Sequence, residues 1–497
     1  MTCPPSHNLP AIHRLPAEIL ISIFHYARAS HYLAVPSHSA SPVAHSFRRR
    51  INPVLAISHT CRAWRALAAG TAELWGTLHL DGAVDGEVAE GKVGFWVDKA
   101  RRKWHSVSLE DEKPTEENAI DTLVLTNVQD WCDDVFSYLT EALELVHHLR
   151  LRRVHVSWRS VNSAANEHRQ LQSFFTLLLA SSSTLTDLTL HTTSHLRILF
   201  SLPRLGHTFT SLTRLEIRSA PVTTPASDAY LIPAFLPRYN GEEDWNPLSS
   251  LRTLILVGPI WRLRYRDGTV ASPTLDTADV PALTYAELSS STPQVHWSLL
   301  SSPSIKHLHL LSWFDFPRLP DPDISPTSGG GLANLTSLTL SKSPQLAARL
   351  LNLALSVPGL RWVNLERLSL RGAWVDEPVL SLFSAERAPK LEYLDLRGTT
   401  HTTASPDGHF PPTHHASSSD LSLPDFSSTL RVLDLRTVWW ITPHRLAQEL
   451  VFKGRATGLR EVGWDGEQFS ELDETMLRSI EVEVVKEVEE DQVVGAE

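Results

Sequence analysis

Arg371, Arg397 and Arg436 recur at one point of a repeated pattern, each directly after the last leucine of a Leu-x-Leu unit. Two places before them stand Ser369, Asp395 and Asp434, and two further back Arg367, Tyr393 and Val432. An earlier unit carries the same theme as Glu216 and Arg218. The arginine fork can hold a carboxylate or a phosphate through two parallel hydrogen bonds. With Trp439 and Trp440 beside it, this set could make a polar and aromatic recognition surface for an acidic or phosphorylated segment. The same residues could instead neutralise one another on a solvated sheet face, with the tryptophans packed under a loop.

Other chemistry is harder to assemble. Of the 24 histidines, His147-His148 and His414-His415 are adjacent pairs with no third or fourth ligand close in sequence, and His191 and His195 lack the glutamate of a His-Glu-x-x-His helix. Phosphate-binding, dinucleotide-binding and Gly-x-Ser-x-Gly signatures are missing. The sequence therefore predicts no catalytic residue, no metal site and no cofactor. Cys3, Cys61 and Cys132 form neither a disulfide framework nor a zinc spacing, which fits a reducing, intracellular location, cytoplasmic or nuclear. A net charge of -11 gives no overall basic excess for nucleic acid, and no apolar run is long enough to predict a membrane span.

The elements that would position the arginines come from a repeat. Leu-x-x-Leu-x-Leu, with Ile, Val, Ala or Trp allowed, starts at Ile120, Leu151, Leu185, Leu212, Leu251, Leu283, Ile305, Leu335, Leu365, Leu391, Leu430 and Leu459, with Leu283 and Leu459 the weakest copies. The last two apolar places alternate with polar ones, as in a strand, and connections such as Leu346 to Leu355 carry helical spacing. One such unit cannot bury its apolar edge alone, so successive strands should stack into a parallel sheet with helices outside. Segments 219–247, 267–281, 317–331 and 399–428, rich in Pro, Ser, Thr, Gly and His, read as loops.

This array, over residues 104–467, resembles leucine-rich repeats with long and irregular intervals. The Asn or Cys of that family, three places after the last leucine, is replaced by Ser343, Ala373, Thr399 and Val438, so no asparagine ladder is expected. The tail at 481–497 alternates Val with Glu, which suits a terminal strand or an acidic, solvated end.

Ahead of the repeats lie two helical signals. Residues 1–10, with Pro4, Pro5 and Pro10, read as a flexible start lacking the apolar core of a signal peptide. Pro16 then suits a helix start, and Ile19, Leu20, Ile23 and Phe24 share one helical face. Ile57, Cys61, Trp64 and Leu67 repeat the pattern, followed by Leu74 and Trp75. The run Leu15-Pro16-x-Glu18-Ile19-Leu20-x-x-Ile23-Phe24, with Cys61-Arg62-x-Trp64-Arg65-x-Leu67-Ala68, resembles an F-box over residues 11–80. The likeness is to the F-box-like form abundant in mushroom-forming fungi, here with an insertion at 28–50.

The two resemblances together imply an α/β protein: an N-terminal helical F-box module, then an irregular leucine-rich-repeat solenoid with a parallel sheet and outer helices. They imply the target-recognition subunit of a Skp-cullin-F-box ubiquitin ligase, which docks on the Skp adaptor, through it joins a cullin, and presents a protein substrate on the repeats. Carried onto this chain, the docking positions are Leu15, Pro16, Ile19, Leu20, Ile23 and Phe24, with Leu55, Cys61, Trp64 and Leu67 in the second half. Some of these must also hold the hairpin together, and sequence does not divide the two duties. Two other readings are a scaffold that binds the adaptor without a cullin, and a repeat protein whose hairpin is only an N-terminal cap.

Overall fold

The computed structural model describes residues 15–33, 53–81, 86–101, 120–126, 151–158, 174, 176–192, 209–219, 248–257, 280–289, 302–311, 334–341, 361–401, 423–438, 440–454, 457–465 and 469–485, with short pieces at 263–264, 270–271, 274–275 and 294–295 and single residues at 347, 351 and 355. The chain divides into two compact units, Met1–Ser250 and Leu251–Glu497.

The first unit opens with helices. The Pro16 carbonyl accepts from Ile19 and Leu20 at 3.1 Å each, so the proline stands at the entry of α1 (Ala17–Leu33). That helix runs into the first part of the 28–50 insertion; residues 34–50 lie outside the described set. Helices α2 (Pro53–Thr60) and α3 (Arg62–Gly70) meet at Cys61, whose sulfur accepts the Trp64 N–H and caps α3. A short 3₁₀ turn (Ala72–Trp75) leads into β1 (Thr77–Asp81), and α4 (Gly86–Arg101) follows. Then come β2 (Thr122–Thr126), β3 (Arg153–Trp158), β4 (Asp187–Thr192) and β5 (Arg214–Ser219), each parallel to its predecessor.

The second unit continues in the same manner. Its strands are β6 (Thr253–Val257), β7 (Tyr285–Ser289), β8 (His307–Leu311), β9 (Ser337–Ser341), β10 (Arg367–Ser369), β11 (Tyr393–Asp395), β12 (Val432–Asp434), β13 (Glu461–Gly463) and β14 (Glu483–Val485). All pair in parallel and in chain order. Between them lie α5 (Glu377–Ser381), α6 (Pro443–Val451) and α7 (Glu471–Ser479). Both weak copies form strands, at β7 and β13. The strands begin at Thr77 and end at Val485, beyond the limits of 104 and 467 read from the leucine pattern.

Register explains the burial. Leu308, Leu338, Leu368, Leu394, Leu433 and Val462 are direct partners across successive strands, and each is fully buried. In the first unit Leu78, Leu123, Val154, Leu188 and Leu215 form the equivalent column. Ala347 and Leu351 are helical and buried, so the connection read as helical also turns its apolar side inward. At the entries of β7, β8 and β9 two successive N–H groups donate to one carbonyl of the preceding strand's entry: Thr284 and Tyr285 to Arg252, Lys306 and His307 to Thr284, Thr336 and Ser337 to Lys306. Thr186, Thr213, Thr284 and Thr336 add hydroxyl bonds to the equivalent carbonyls, between 2.9 and 3.0 Å.

Without an asparagine ladder, the backbone closes the turns after β10 to β12. Ala373, Thr399 and Val438 donate to Leu370, Leu396 and Leu435 at 3.2, 3.1 and 3.2 Å. These turns place Gly372, Gly398 and Thr437 at φ of 69°, 63° and 57°, the left-handed region that suits glycine and strains a β-branched residue. Gly372 and Gly398 then donate across to the Arg397 and Arg436 carbonyls at 2.9 and 3.0 Å. Thr437 donates instead to the Asp465 side chain, which ends the series.

Close backbone approach yields a test. A Cβ on Gly458 would stand 1.8 Å from the Ser428 carbonyl oxygen, whereas one on Gly91, in α4, meets nothing within 4 Å. Gly458→Ala should destabilise by about 2 kcal/mol or more through backbone displacement, and Gly91→Ala should stabilise by roughly 0.5–1 kcal/mol. Urea denaturation of both variants checks the pair.

Candidate interaction surfaces

The helical hairpin sorts the resemblance-derived positions by the direction they face. Leu20 and Phe24, one turn apart on α1, are buried, and the Phe24 ring meets Trp64 edge-on with centroids 5.1 Å apart. Val54 and Ile57 of α2 are buried with them. Leu15, Leu55, Cys61, Trp64 and Leu67 are half-buried, and Pro16 is exposed. Ile19, Ile23 and Tyr26 are 48%, 39% and 76% exposed. Their spacing of four and three puts them on one stripe of the helix, turned away from the Leu20–Phe24 stripe. The structure thus gives Leu20 and Phe24 to the core and leaves Ile19 and Ile23 on the surface. Tyr26 continues the helical spacing of Ile19 and Ile23, a signal already present in the sequence.

Leu74 and Trp75 have a different duty. The Trp75 indole N–H donates to the Ala68 carbonyl of α3 at 2.8 Å, while its ring meets Trp96 and Phe95 of α4 edge-on at 5.0 and 5.4 Å. Trp96 in turn donates to the Thr77 carbonyl of β1 at 2.9 Å. The hairpin and the first strand-helix pair therefore share one aromatic cluster.

On β10 to β12 the arginine and aspartate positions come together. Asp395 is fully buried, and its carboxylate takes the Arg397 fork (Nε to Oδ1 3.0 Å, Nη2 to Oδ2 2.9 Å), Arg371 Nε at 2.6 Å and the Ser369 hydroxyl at 3.0 Å. Asp434, also buried, takes the Arg436 fork at 2.9 and 2.6 Å and Arg397 Nε at 3.2 Å. Each aspartate thus binds the arginine of its own strand and that of the strand before. Burial pushes the Asp395 carboxyl up, against the pull of Arg371. Tyr393 lies under the Arg367 guanidinium at 5.0 Å, and burial with the nearby Asp395 and Asp434 raises its hydroxyl to about 12.

The mutual pairing expected as one of the two readings is therefore present, and Asp395 and Asp434 are covered by the arginines above them. Trp440 does not join the exposed strip: it is buried and donates to Thr399 Oγ1 at 3.1 Å. An indole ring with one polar atom is better satisfied there than on a wet sheet face. Trp439 lies outside the described residues. Gly463, which the sequence did not single out, follows Asp434 in the column and leaves room for its carboxylate, because a Cβ there would stand 2.7 Å from Asp434 Oδ1.

The earlier Glu216–Arg218 pair lies in the first unit within a denser cluster. Glu216 accepts Arg218 Nε at 2.6 Å and Arg214 Nη2 at 2.5 Å, and lies 3.4 Å from His191 Nε2. Burial alone would raise its carboxyl, but hydrogen bonds from His191 and Arg218 and their charges hold it well below the ordinary range. His155 and Asp187 stand beside it, the imidazole pushed down and the carboxyl pushed up by burial. Among the described residues no group of three or more His, Cys, Asp or Glu is placed to hold a metal ion. His147, His148, His195, His414 and His415 lie outside them.

The family model for the F-box-like domain matches residues 12–81. None of the curated proteins matches the chain. The chain therefore carries a helical F-box-like region followed by parallel strands with helices, a solenoid-like α/β arrangement consistent with leucine-rich repeats. F-box domains generally bind Skp-type adaptors, and proteins that carry them are typically non-catalytic, which implies involvement in protein–protein interaction of the ubiquitin-ligase kind. Among the described residues no helix is long and apolar enough to cross a membrane.

Two measurements follow from these environments. Phe24→Ala should cost about 3–5 kcal/mol of stability, whereas Ile23→Asp should stay within about 1 kcal/mol because its side chain already meets water; chemical denaturation compares them. The second concerns acid. Because the folded Glu216 carboxyl lies below its unfolded value, its stabilisation is present above the ordinary carboxylate range and is lost as pH falls through it. Between about pH 5 and about pH 3 the urea midpoint of Glu216→Gln should therefore fall less than that of the wild type.

Proposed function

We propose that this chain is the target-recognition subunit of a Skp-cullin-F-box ubiquitin ligase. Its hairpin docks on the Skp adaptor, and its repeats hold the protein to be modified. The chain supplies position rather than chemistry: it raises the local concentration of a target near the ligase's catalytic partners. The observation that carries this reading is the F-box-like match at 12–81 combined with the division of α1, where Leu20 and Phe24 close the hairpin core and Ile19, Ile23 and Tyr26 present an apolar stripe to solvent. A hairpin serving only as a cap has no use for a second apolar stripe turned away from its own core. Pro16, Leu15 and the half-buried edges of Leu55, Trp64 and Leu67 are proposed to border that docking surface. A cytoplasmic or nuclear site of action follows from this reading.

Co-expression with a Skp-type adaptor and a cullin tests the proposal. The full chain should copurify with both, and Ile19→Asp together with Ile23→Asp should reduce adaptor capture by about a hundredfold, as expected when apolar anchors at the centre of an interface are lost, without lowering the unfolding temperature. Capture of the adaptor without the cullin would replace the ligase with a scaffold. Undiminished capture by the double variant would remove the docking stripe.

A further inference from the structure

The parallel strands of the second unit end at β14, and its far side offers backbone groups, a half-covered valine and unmatched negative charge. We propose that this edge takes an extended segment of a partner protein as a further strand, one in which lysine or arginine alternates with apolar residues.

Backbone polarity is the first ground. The Glu483 N–H donates to the Arg460 carbonyl at 2.8 Å, and the Val485 carbonyl accepts from Trp464 at 3.1 Å. Residues 483 and 485 thus turn their peptide groups toward β13, and strand alternation turns those of Val484 outward, together with the Val482 carbonyl. The Val482 N–H is taken by the Leu477 carbonyl of α7 at 3.1 Å, which fixes where the outward row begins. Among the described residues β14 has β13 as its one strand neighbour. An outward row of donors and acceptors is a template for another strand.

The core column is the second ground. Leu394, Leu433 and Val462 are fully buried, whereas Val484, the next member, is half-buried. A strand laid outside β14 would set an apolar residue beside Val484 and extend the column by one.

Charge decides what that strand carries at its other positions. Glu461 and Glu483 are direct partners across β13 and β14, and among the described residues neither has an ion-pair partner. On β11 and β12, by contrast, arginines match the carboxylates. Like charges directly opposite one another are destabilising, and a lysine or arginine beside Glu483 relieves the repulsion. Two nearer occupants fail on the same count. A second copy paired edge to edge would bring two more glutamates to this face and no cation. Residues 487–491 of this chain, with Glu487, Glu489, Glu490 and Asp491, would add like charge in the same way.

The test uses the full chain and three fluorescent peptides of equal length. One alternates Lys with Val, the second is the same peptide N-methylated on two adjacent central residues, and the third alternates Glu with Val. Anisotropy should show the first bound at least about tenfold more tightly than either other, because the second keeps the charge but loses ladder donors. Val484→Pro removes an N–H that points away from β13, so it should weaken binding at least about tenfold with circular dichroism unchanged. Glu483→Gln should weaken binding about two- to fivefold and raise the urea midpoint of the unbound chain. If Val484→Pro disturbs the circular dichroism, the methylated peptide and Glu483→Gln decide. Equal binding of the methylated peptide, or undiminished binding in the variants that fold, overturns the assignment. Dimerisation of the chain that is lost in Val484→Pro also overturns it, since the edge then belongs to a second copy.

Discussion

A strand whose two leucines face inward has no way to bury them except against the next strand's leucines, and that constraint sets almost everything else in each unit. It requires parallel pairing in chain order, because only then do equivalent positions fall into columns. It requires that the polar positions between the leucines also fall into columns, whatever they are. The row of arginines and the row of aspartates are thus consequences of core register. Once aligned, like charges on neighbouring strands would repel, and the alternation of Asp with Arg two residues later is the local solution. Each carboxylate is shared between two strands, so the polar face is cross-linked along the same direction in which the leucines stack.

The hairpin solves a related problem with fewer residues. A few dozen residues cannot bury two apolar stripes of one helix on their own. One stripe is therefore closed by α2 and α3 around Phe24 and Trp64, and the other stays exposed to solvent. Side-chain direction alone separates the buried positions of the family pattern from the exposed ones.

Much of this was legible in the sequence because hydrophobic period is a direct image of burial. Leu338, Leu368, Leu394 and Leu433 announced the columns, and Phe24 with Trp64 announced the hairpin. What was not legible depended on partners distant in the chain. The pairing of Arg397 with both Asp395 and Asp434 needs the register of three strands, and the burial of Trp440 needs the Thr399 hydroxyl at the preceding turn. Gly463 is meaningful only because an aspartate from another strand leans over it. The weak copies at Leu283 and Leu459 became strands because their neighbours on both sides supplied ladder partners, which no local pattern records.

Trp75 carries a consequence for modular exchange. Its indole is bonded to α3 while its ring is set among the rings of α4, so the boundary suggested by the family match at residue 81 cuts through a shared interior. A chimera joined there would receive a hairpin with an open wound and a repeat array missing its first plug. The aromatic cluster extends into α4 (Gly86–Arg101), so recombination that respected packing would carry that helix along with the hairpin as one inherited piece.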